Sequence, residues 1–258
     1  MTDVTIVGCG NLGSALVAGL SQSGGHDVTA YDVDEAALER VAPHVARTTT
    51  DVETASASDV VTVAVKPDVV GAVLDEFDLS SDQTLVTVAA GVSRAYVRER
   101  TDATVVRVMP NLAAETRDMA AAVTWDDPDE GVREMLADLG SYVEIEEELM
   151  DAATALNGSG PAFVFYTIQA MTEGAVAEGM DEADAETLAA QTVKGAAETV
   201  LRSDRSVEEL IDAVCSPNGT TVEGMEVLWD SDFADTMGAA LAAATRRSRE
   251  LAAERADE

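Results

Sequence analysis

The sequence predicts an α/β fold: a doubly wound parallel sheet covered by helices over residues 1–156, followed by an all-α domain over residues 157–258. Three observations carry this prediction. Short β-branched runs alternate with helical stretches up to about residue 145, and a glycine-rich turn follows the first of those runs. After Asp151 the β-branched runs vanish, and long alanine-rich helical sequence takes over. A chain of 258 residues suffices for one large domain or two modest ones.

The strands expected in order are 4–7, 28–31, 60–65, 84–88, 104–108 and 120–125, with 140–145 as a further candidate. The junction Asn157-Gly158-Ser159-Gly160-Pro161 closes this pattern, because proline at a first helical position followed by apolar residues starts a helix, here running to about Gly179. Phe163, Ile168, Met171, Ala175 and Val176 make that helix too apolar to face solvent. About a hundred residues of helix with few aromatics give a thin core, so the helices are expected to interlock with a second copy, as a homodimer or a higher assembly of dimers. The charged stretch after Arg246 is expected to fray.

Composition excludes several classes. Asp and Glu total 49 against 16 Lys and Arg, a formal net charge of −33, yet 47% of residues are hydrophobic and periodic, so the charge coats a folded chain. Such a surface repels a phosphate backbone, and nucleic acid is not expected as a partner. Lys66 and Lys194 are the only lysines. Few lysines, many carboxylates and many alanines suit a salt-adapted organism, since at molar salt the Debye length is about 3 Å and self-repulsion is screened. Cys9 and Cys215 are isolated, giving neither a disulfide framework nor a metal site. The only histidines, His26 and His44, lie near the N-terminus, so zinc hydrolases, Ser-His-Asp hydrolases and His-based hydroxyacid dehydrogenases lack support. With no secretory leader pattern and no apolar run of spanning length, the sequence reads as a soluble cytoplasmic protein without membrane attachment.

The chemistry begins at the first strand. Val4-Thr5-Ile6-Val7 runs into Gly8-Cys9-Gly10-Asn11-Leu12-Gly13 and then helical sequence, the dinucleotide fingerprint of a Rossmann-like domain in its required context. Gly8 allows the tight turn, Gly10 admits a pyrophosphate, and Gly13 lets helix and strand pack. The helix N-terminus supplies N–H groups and partial positive charge; Cys9 is read as a packing residue. Asp32, nineteen positions after Gly13, either accepts hydrogen bonds from the adenosine ribose or caps the next helix. With Asp34 beside it and no adjacent arginine, NADH is favoured over NADPH. Val65-Lys66-Pro67, Ala89-Ala90-Gly91 and Met109-Pro110-Asn111 each end a strand at the edge where open α/β sheets bind ligands. Lys66 is either a solvated strand-end residue or a cofactor contact, and Asn111 is placed for the nicotinamide ribose or carboxamide.

In the helical half, Ser216-Pro217-Asn218-Gly219-Thr220-Thr221 opens directly into a helix, which makes either a site for a small carboxylate or a well-capped helix start. With this loop the chain resembles the Δ1-pyrroline-5-carboxylate reductase family of proline biosynthesis. The likeness runs through Gly8 to Gly13, Val65-Lys66-Pro67, Ala89-Ala90-Gly91-Val92, Arg107 to Asn111, Leu156 to Phe163 and Ser216 to Thr221. The resemblance implies hydride transfer from NAD(P)H to the C5=N bond of 1-pyrroline-5-carboxylate, giving L-proline. It implies that Ser216, Gly219, Thr220 and Thr221 bind the substrate, with Thr221 the catalytic hydroxyl nearest the imine nitrogen. It also implies that Lys66, Ala90 and Asn111 border the nicotinamide half of the cofactor; with the fingerprint and the strand ends, the expected cofactor residues are Gly8, Gly10, Asn11, Leu12, Gly13, Asp32, Val65, Lys66, Pro67, Ala90 and Asn111, and no metal is expected. Met225, Trp229, Asn218, which stands in place of a commoner glycine, and Asp32, where many members carry polar or basic residues suited to NADPH, depart from the family pattern.

Three other readings compete. A β-hydroxyacid dehydrogenase would need a catalytic lysine in its helical domain, for which Lys194 is the only candidate. A deazaflavin-dependent NADP reductase would share the fingerprint without needing the Ser216 to Thr221 loop. An NADH-binding regulatory protein would bind without chemistry. The composition predicts that the melting temperature rises steeply from dilute buffer to molar KCl; a calorimetric scan that stays flat across that range refutes salt adaptation.

Overall fold

The computed structural model describes residues 2–127 and 130–256. The chain divides into two compact units, Met1–Ser159 with Ala242–Glu258, and Gly160–Leu241. The first unit contains β1 (Thr2–Val7), α1 (Asn11–Ser23), β2 (His26–Tyr31), α2 (Glu35–Val41), β3 (Arg47–Thr49), α3 (Val52–Ala55), β4 (Val60–Val63) and α4 (Val70–Glu76). It continues through β5 (Thr84–Thr87), α5 (Arg94–Arg98), β6 (Thr104–Met109), β7 (Met119–Thr124), α6 (Glu130–Leu139), β8 (Gly140–Glu144) and α7 (Met150–Ala153). The second holds α8 (Gly160–Ala177), α9 (Glu182–Arg202), α10 (Val207–Val214) and α11 (Thr220–Trp229); α12 (Phe233–Ala256) follows.

The eight strands form one sheet in the order β3-β2-β1-β4-β5-β6-β7-β8. Because β1 lies between β2 and β4, the chain reverses its direction of travel across the sheet there, which opens a crevice at the strands' carboxyl ends. The central strands β1, β4, β5 and β6 are rich in β-branched residues because both their faces are covered. On one face Val4, Ile6, Val60, Val86 and Val106 pack with α1 and α6. On the other Val7, Val61, Val63, Leu85 and Val105 pack with α3, α4 and α5.

Three features differ from the sequence expectation. Strand β7 runs antiparallel to β6, because the nine residues between them are too few for a crossover that would return the chain in parallel. The three-residue edge strand β3 is an addition; it carries no apolar run to announce it. The stretch after Arg246 is helical through Ala256 rather than frayed, and Ser248 is buried with its hydroxyl donating to Asp151 Oδ1 at 2.6 Å.

The second unit is helical throughout, and among its described residues few side chains are buried: Thr172, Ala185 and Ala189. Phe165, Tyr166, Leu201, Val227 and Trp229 are each more than half exposed. Among the described residues no helix is long and apolar enough to cross a membrane.

Arg94 and Arg107 are buried in the first unit. Arg107 Nη1 lies 3.0 Å from Glu147 Oε1, the same oxygen that accepts from the Arg94 N–H at 2.8 Å. Arg94 Nη1 donates to Thr124 Oγ1 at 3.2 Å, and its Nη2 lies 2.8 Å from Asp126 Oδ2. Glu147 thus fastens the approach to α7 onto β6 and α5. Removing one partner of a buried pair strands the other charge. Glu147→Ala is expected to lower the unfolding free energy by about 3 kcal/mol in denaturant titrations at molar KCl; a loss below about 1 kcal/mol, the scale of an exposed pair, refutes the pairing argument.

Candidate active site

The turn from β1 into α1 is built by what its glycines lack. Gly8 has φ +95° and its N–H donates to Tyr31 O at 2.8 Å. A Cβ on Gly8 would stand 2.7 Å from Val65 Cγ1, and one on Gly13 would stand 1.8 Å from the Gly8 carbonyl oxygen. Gly10 is different: a Cβ there meets nothing within 4 Å, so the protein itself leaves open the space over the helix start. That space is where a pyrophosphate would lie, and the residues present fit a dinucleotide.

Asp32, at the end of β2, closes this cradle. Its Oδ2 accepts the Cys9 N–H at 2.7 Å and its Oδ1 accepts the Asp34 N–H at 2.9 Å. The role of capping the next helix belongs to Asp34, whose Oδ1 accepts the Ala36 N–H at 3.0 Å. Each Asp32 oxygen keeps a lone pair for a ribose hydroxyl. Cys9 is fully buried; burial first and the Asp32 carboxylate second push its thiol up to about 12, with Arg40 opposing. Sequence reasoning passed over Ser14, whose hydroxyl donates to Cys9 O at 2.9 Å and braces the same turn.

The other predicted cofactor residues line the same sheet edge. Val65 is half-buried beside Gly8, Lys66 is exposed, and Pro67 opens a 3-10 turn, 67–69, that leads into α4. Ala90 is half-buried after β5. Asn111 follows β6, where its Oδ1 accepts the N–H groups of Ala113 at 3.2 Å and Ala120 at 3.3 Å. Asn157, absent from the predicted site, donates from Nδ2 to Met109 O and Ala120 O at this edge. Its one sequence signal is an amide side chain inside a glycine-rich junction.

In the second unit, the loop before α11 turns on Asn218, which has φ +58°, and the Gly219 N–H donates to Ser216 O at 2.9 Å. That left-handed backbone suits glycine best and is tolerated by asparagine. Ser216 and Thr220 are exposed, and Gly219 and Thr221 are half-buried. Helices α2, α3, α5, α9 and α10 are each capped by an Asp or Ser side chain. By contrast, α1 and α11 start at glycine with no side-chain cap. Both predicted anion-binding helices therefore leave their first turns free to bind a ligand. Lys194 is exposed on α9.

Known proteins are similar to this chain over nearly its whole length. Residues 147–251 match a family model described as pyrroline-5-carboxylate reductase dimerisation, and residues 3–91 match one described as NADP oxidoreductase, coenzyme F420-dependent. A pyrroline-5-carboxylate reductase of Methanosarcina acetivorans is 38% identical over 263 residues, covering 96% of this chain and 97% of its own. A solved structure of that reductase from Coxiella burnetii, 28% identical, superposes with a TM-score of 0.86 over 97% of this chain and 98% of its own. The corresponding structure from Plasmodium falciparum, with NADP bound, is 26% identical, with a TM-score of 0.83 over 97% and 98%.

Because its thiol is buried and raised, Cys9 carries almost no thiolate at pH 8. Iodoacetamide at that pH is expected to alkylate Cys215 alone in the native protein and both thiols after unfolding. Peptide mass spectrometry checks this, and native alkylation of Cys9 refutes the closed turn.

Proposed function

The chain belongs to the pyrroline-5-carboxylate reductase family, and on that premise we propose how its residues divide the work. The enzyme reduces the C5=N bond of 1-pyrroline-5-carboxylate to L-proline with an NAD(P)H cofactor. The full-length likeness to the Methanosarcina reductase carries this reading. The F420-type match covers only residues 3–91, the nucleotide-binding portion, and leaves the helical half to the reductase family.

Residues 1–156 form the cofactor domain. Gly8, Gly10, Asn11, Leu12 and Gly13 hold the pyrophosphate at the α1 N-terminus, and Asp32 accepts from the adenosine ribose. Val65, Lys66, Pro67, Ala90 and Asn111 border the nicotinamide half. NADH is the preferred cofactor: the Asp34 carboxylate already occupies the start of α2, and with Asp32 it sets two negative charges where a 2′-phosphate would have to sit.

Residues 157–258 provide the substrate loop and the dimer surface. The N–H groups at the start of α11, with Ser216, Gly219 and Thr220, hold the substrate carboxylate, while the Thr221 hydroxyl oxygen accepts the N–H of the protonated imine and keeps that proton in place. The reduced nicotinamide, when bound, supplies the hydride. No protein nucleophile is required, since a protonated C=N carbon is itself electrophilic. The exposed apolar side chains of α8 to α11 are covered by a second copy of the chain. The low lysine content and acidic surface support a cytoplasmic enzyme of a salt-adapted cell.

Initial rates in molar KCl test this. We expect kcat/KM with NADH to exceed that with NADPH, and Thr221→Ala to lower kcat by about a hundredfold while leaving the KM for NADH nearly unchanged. Equal activity in variant and parent removes Thr221 from the site, and a preference for NADPH overturns the reading of Asp32 and Asp34.

A further inference from the structure

The β6–β7 ladder pairs Arg107 with Thr124, Val108 with Val123 and Met109 with Ala122, and there it stops. The chain leaves β6 through Pro110 and Asn111, so Ala120 has no strand partner on that side. Two asparagine side chains take the partner's place. Asn111 Oδ1 accepts the Ala120 N–H at 3.3 Å, and Asn157 Nδ2 donates to Ala120 O at 3.0 Å and also to Met109 O. The backbone leading into the nicotinamide edge is therefore held by side chains where a ladder of backbone hydrogen bonds would otherwise hold it.

The orientation of the Asn157 amide is forced, because two carbonyl oxygens demand a donor and only its NH2 can serve both. Its Oδ1 consequently turns away, shielded from solvent and without a hydrogen-bond partner among the described residues. A buried acceptor left unpaired costs free energy, and a native structure that keeps one calls for an explanation other than local stability. Asn157 also sits in a π-helical turn, 154–158, immediately after α7. Such turns are rare and occur frequently at functional sites.

We propose that Asn157 is a positioning residue for hydride transfer: by bridging Met109 and Ala120 it fixes the Met109–Asn111 backbone against which the nicotinamide is seated. The inference rests on the cofactor reading above. It predicts a defect confined to the nicotinamide end, with the adenosine and pyrophosphate end, held by Gly8 to Gly13 and Asp32, untouched.

The experiment uses Asn157→Leu and Asn157→Asp in the full chain at molar KCl, with ADP-ribose as a probe that carries the adenosine and pyrophosphate but no nicotinamide. Both variants are expected to lose at least about tenfold in kcat, since small misplacements of reacting groups are costly. Both are expected to bind ADP-ribose like the parent, while the extra affinity that NADH owes to its nicotinamide disappears. The aspartate, acceptor-only when ionised, sets negative charge against two carbonyl oxygens, and protonation returns one O–H donor. The ratio of Asn157→Asp to parent kcat should accordingly rise as pH falls, while the Asn157→Leu ratio stays level. Parent-like kcat in both variants, parallel loss of ADP-ribose and NADH binding, or a level pH ratio for Asn157→Asp overturns the proposal. A parent that binds neither ADP-ribose nor NADH overturns the cofactor reading itself, and that failure is visible before any variant is made.

Discussion

Helix α1 starts within four residues of the end of β1, and this closeness is possible only because position 13 has no Cβ to meet the Gly8 carbonyl. Much of the first unit is arranged around that constraint. The positive φ at Gly8 turns the chain, its N–H ties the turn to the last residue of β2, and the Cys9 N–H ties it to Asp32 just beyond. Val65, following β4, closes against Gly8 from the other side. The ends of three neighbouring strands are thereby gathered at the point where the sheet changes direction, and the open space over Gly10 is what remains between them.

The central strands are legible in the sequence because each is buried on both faces, which demands β-branched residues at successive positions and leaves an unbroken apolar run. Where that demand lapses, so does the signal. Strand β3 sits at an edge with exposed side chains, and hydrogen bonding rather than side-chain pattern makes it a strand. The direction of β7 is not written in its residues at all; it follows from the length of the connection after β6. The last helix is rich in charge and reads as solvated, yet one serine on it, Ser248, finds a carboxylate on Asp151, almost a hundred residues away. Periodicity does not report a contact of that range.

At the candidate site, residues chosen for backbone reasons were easy to identify, and residues chosen for a hydrogen-bond partner were not. Gly8, Gly13 and Asp32 occupy places where only one or two residue types work. The division of labour between Asp32 and Asp34 is different, because either carboxylate could cap α2 and only the geometry gives the cap to Asp34 and the turn to Asp32. Asn157 was harder still, since its meaning depends on Met109 and Ala120, neither of which is near it in sequence. Asn218 lies between these cases: its left-handed φ, which asparagine tolerates better than most residues, is apparent only once the loop is seen.

The acidic surface poses a further question, since both ligands are anions and the chain carries a formal charge of −33. The arrangement of charge at helix starts answers it. Acidic residues occupy the first turns of α2, α3, α6, α9, α10 and α12, where they stabilise each helix by opposing its dipole. The first turn of α1, like those of α4, α5 and α8, has none, so its N-terminal partial charge is left for a ligand. Helix α11 does carry Glu223 in its first turn, but it too lacks a side-chain cap, and its free N–H groups act at hydrogen-bonding distance. At molar salt the field of the remaining carboxylates is screened within about 3 Å, while N–H groups touching a phosphate or carboxylate are not screened at all. The charge that governs solubility and the charge that governs binding therefore act over different ranges, and an anion site can persist on a strongly anionic protein.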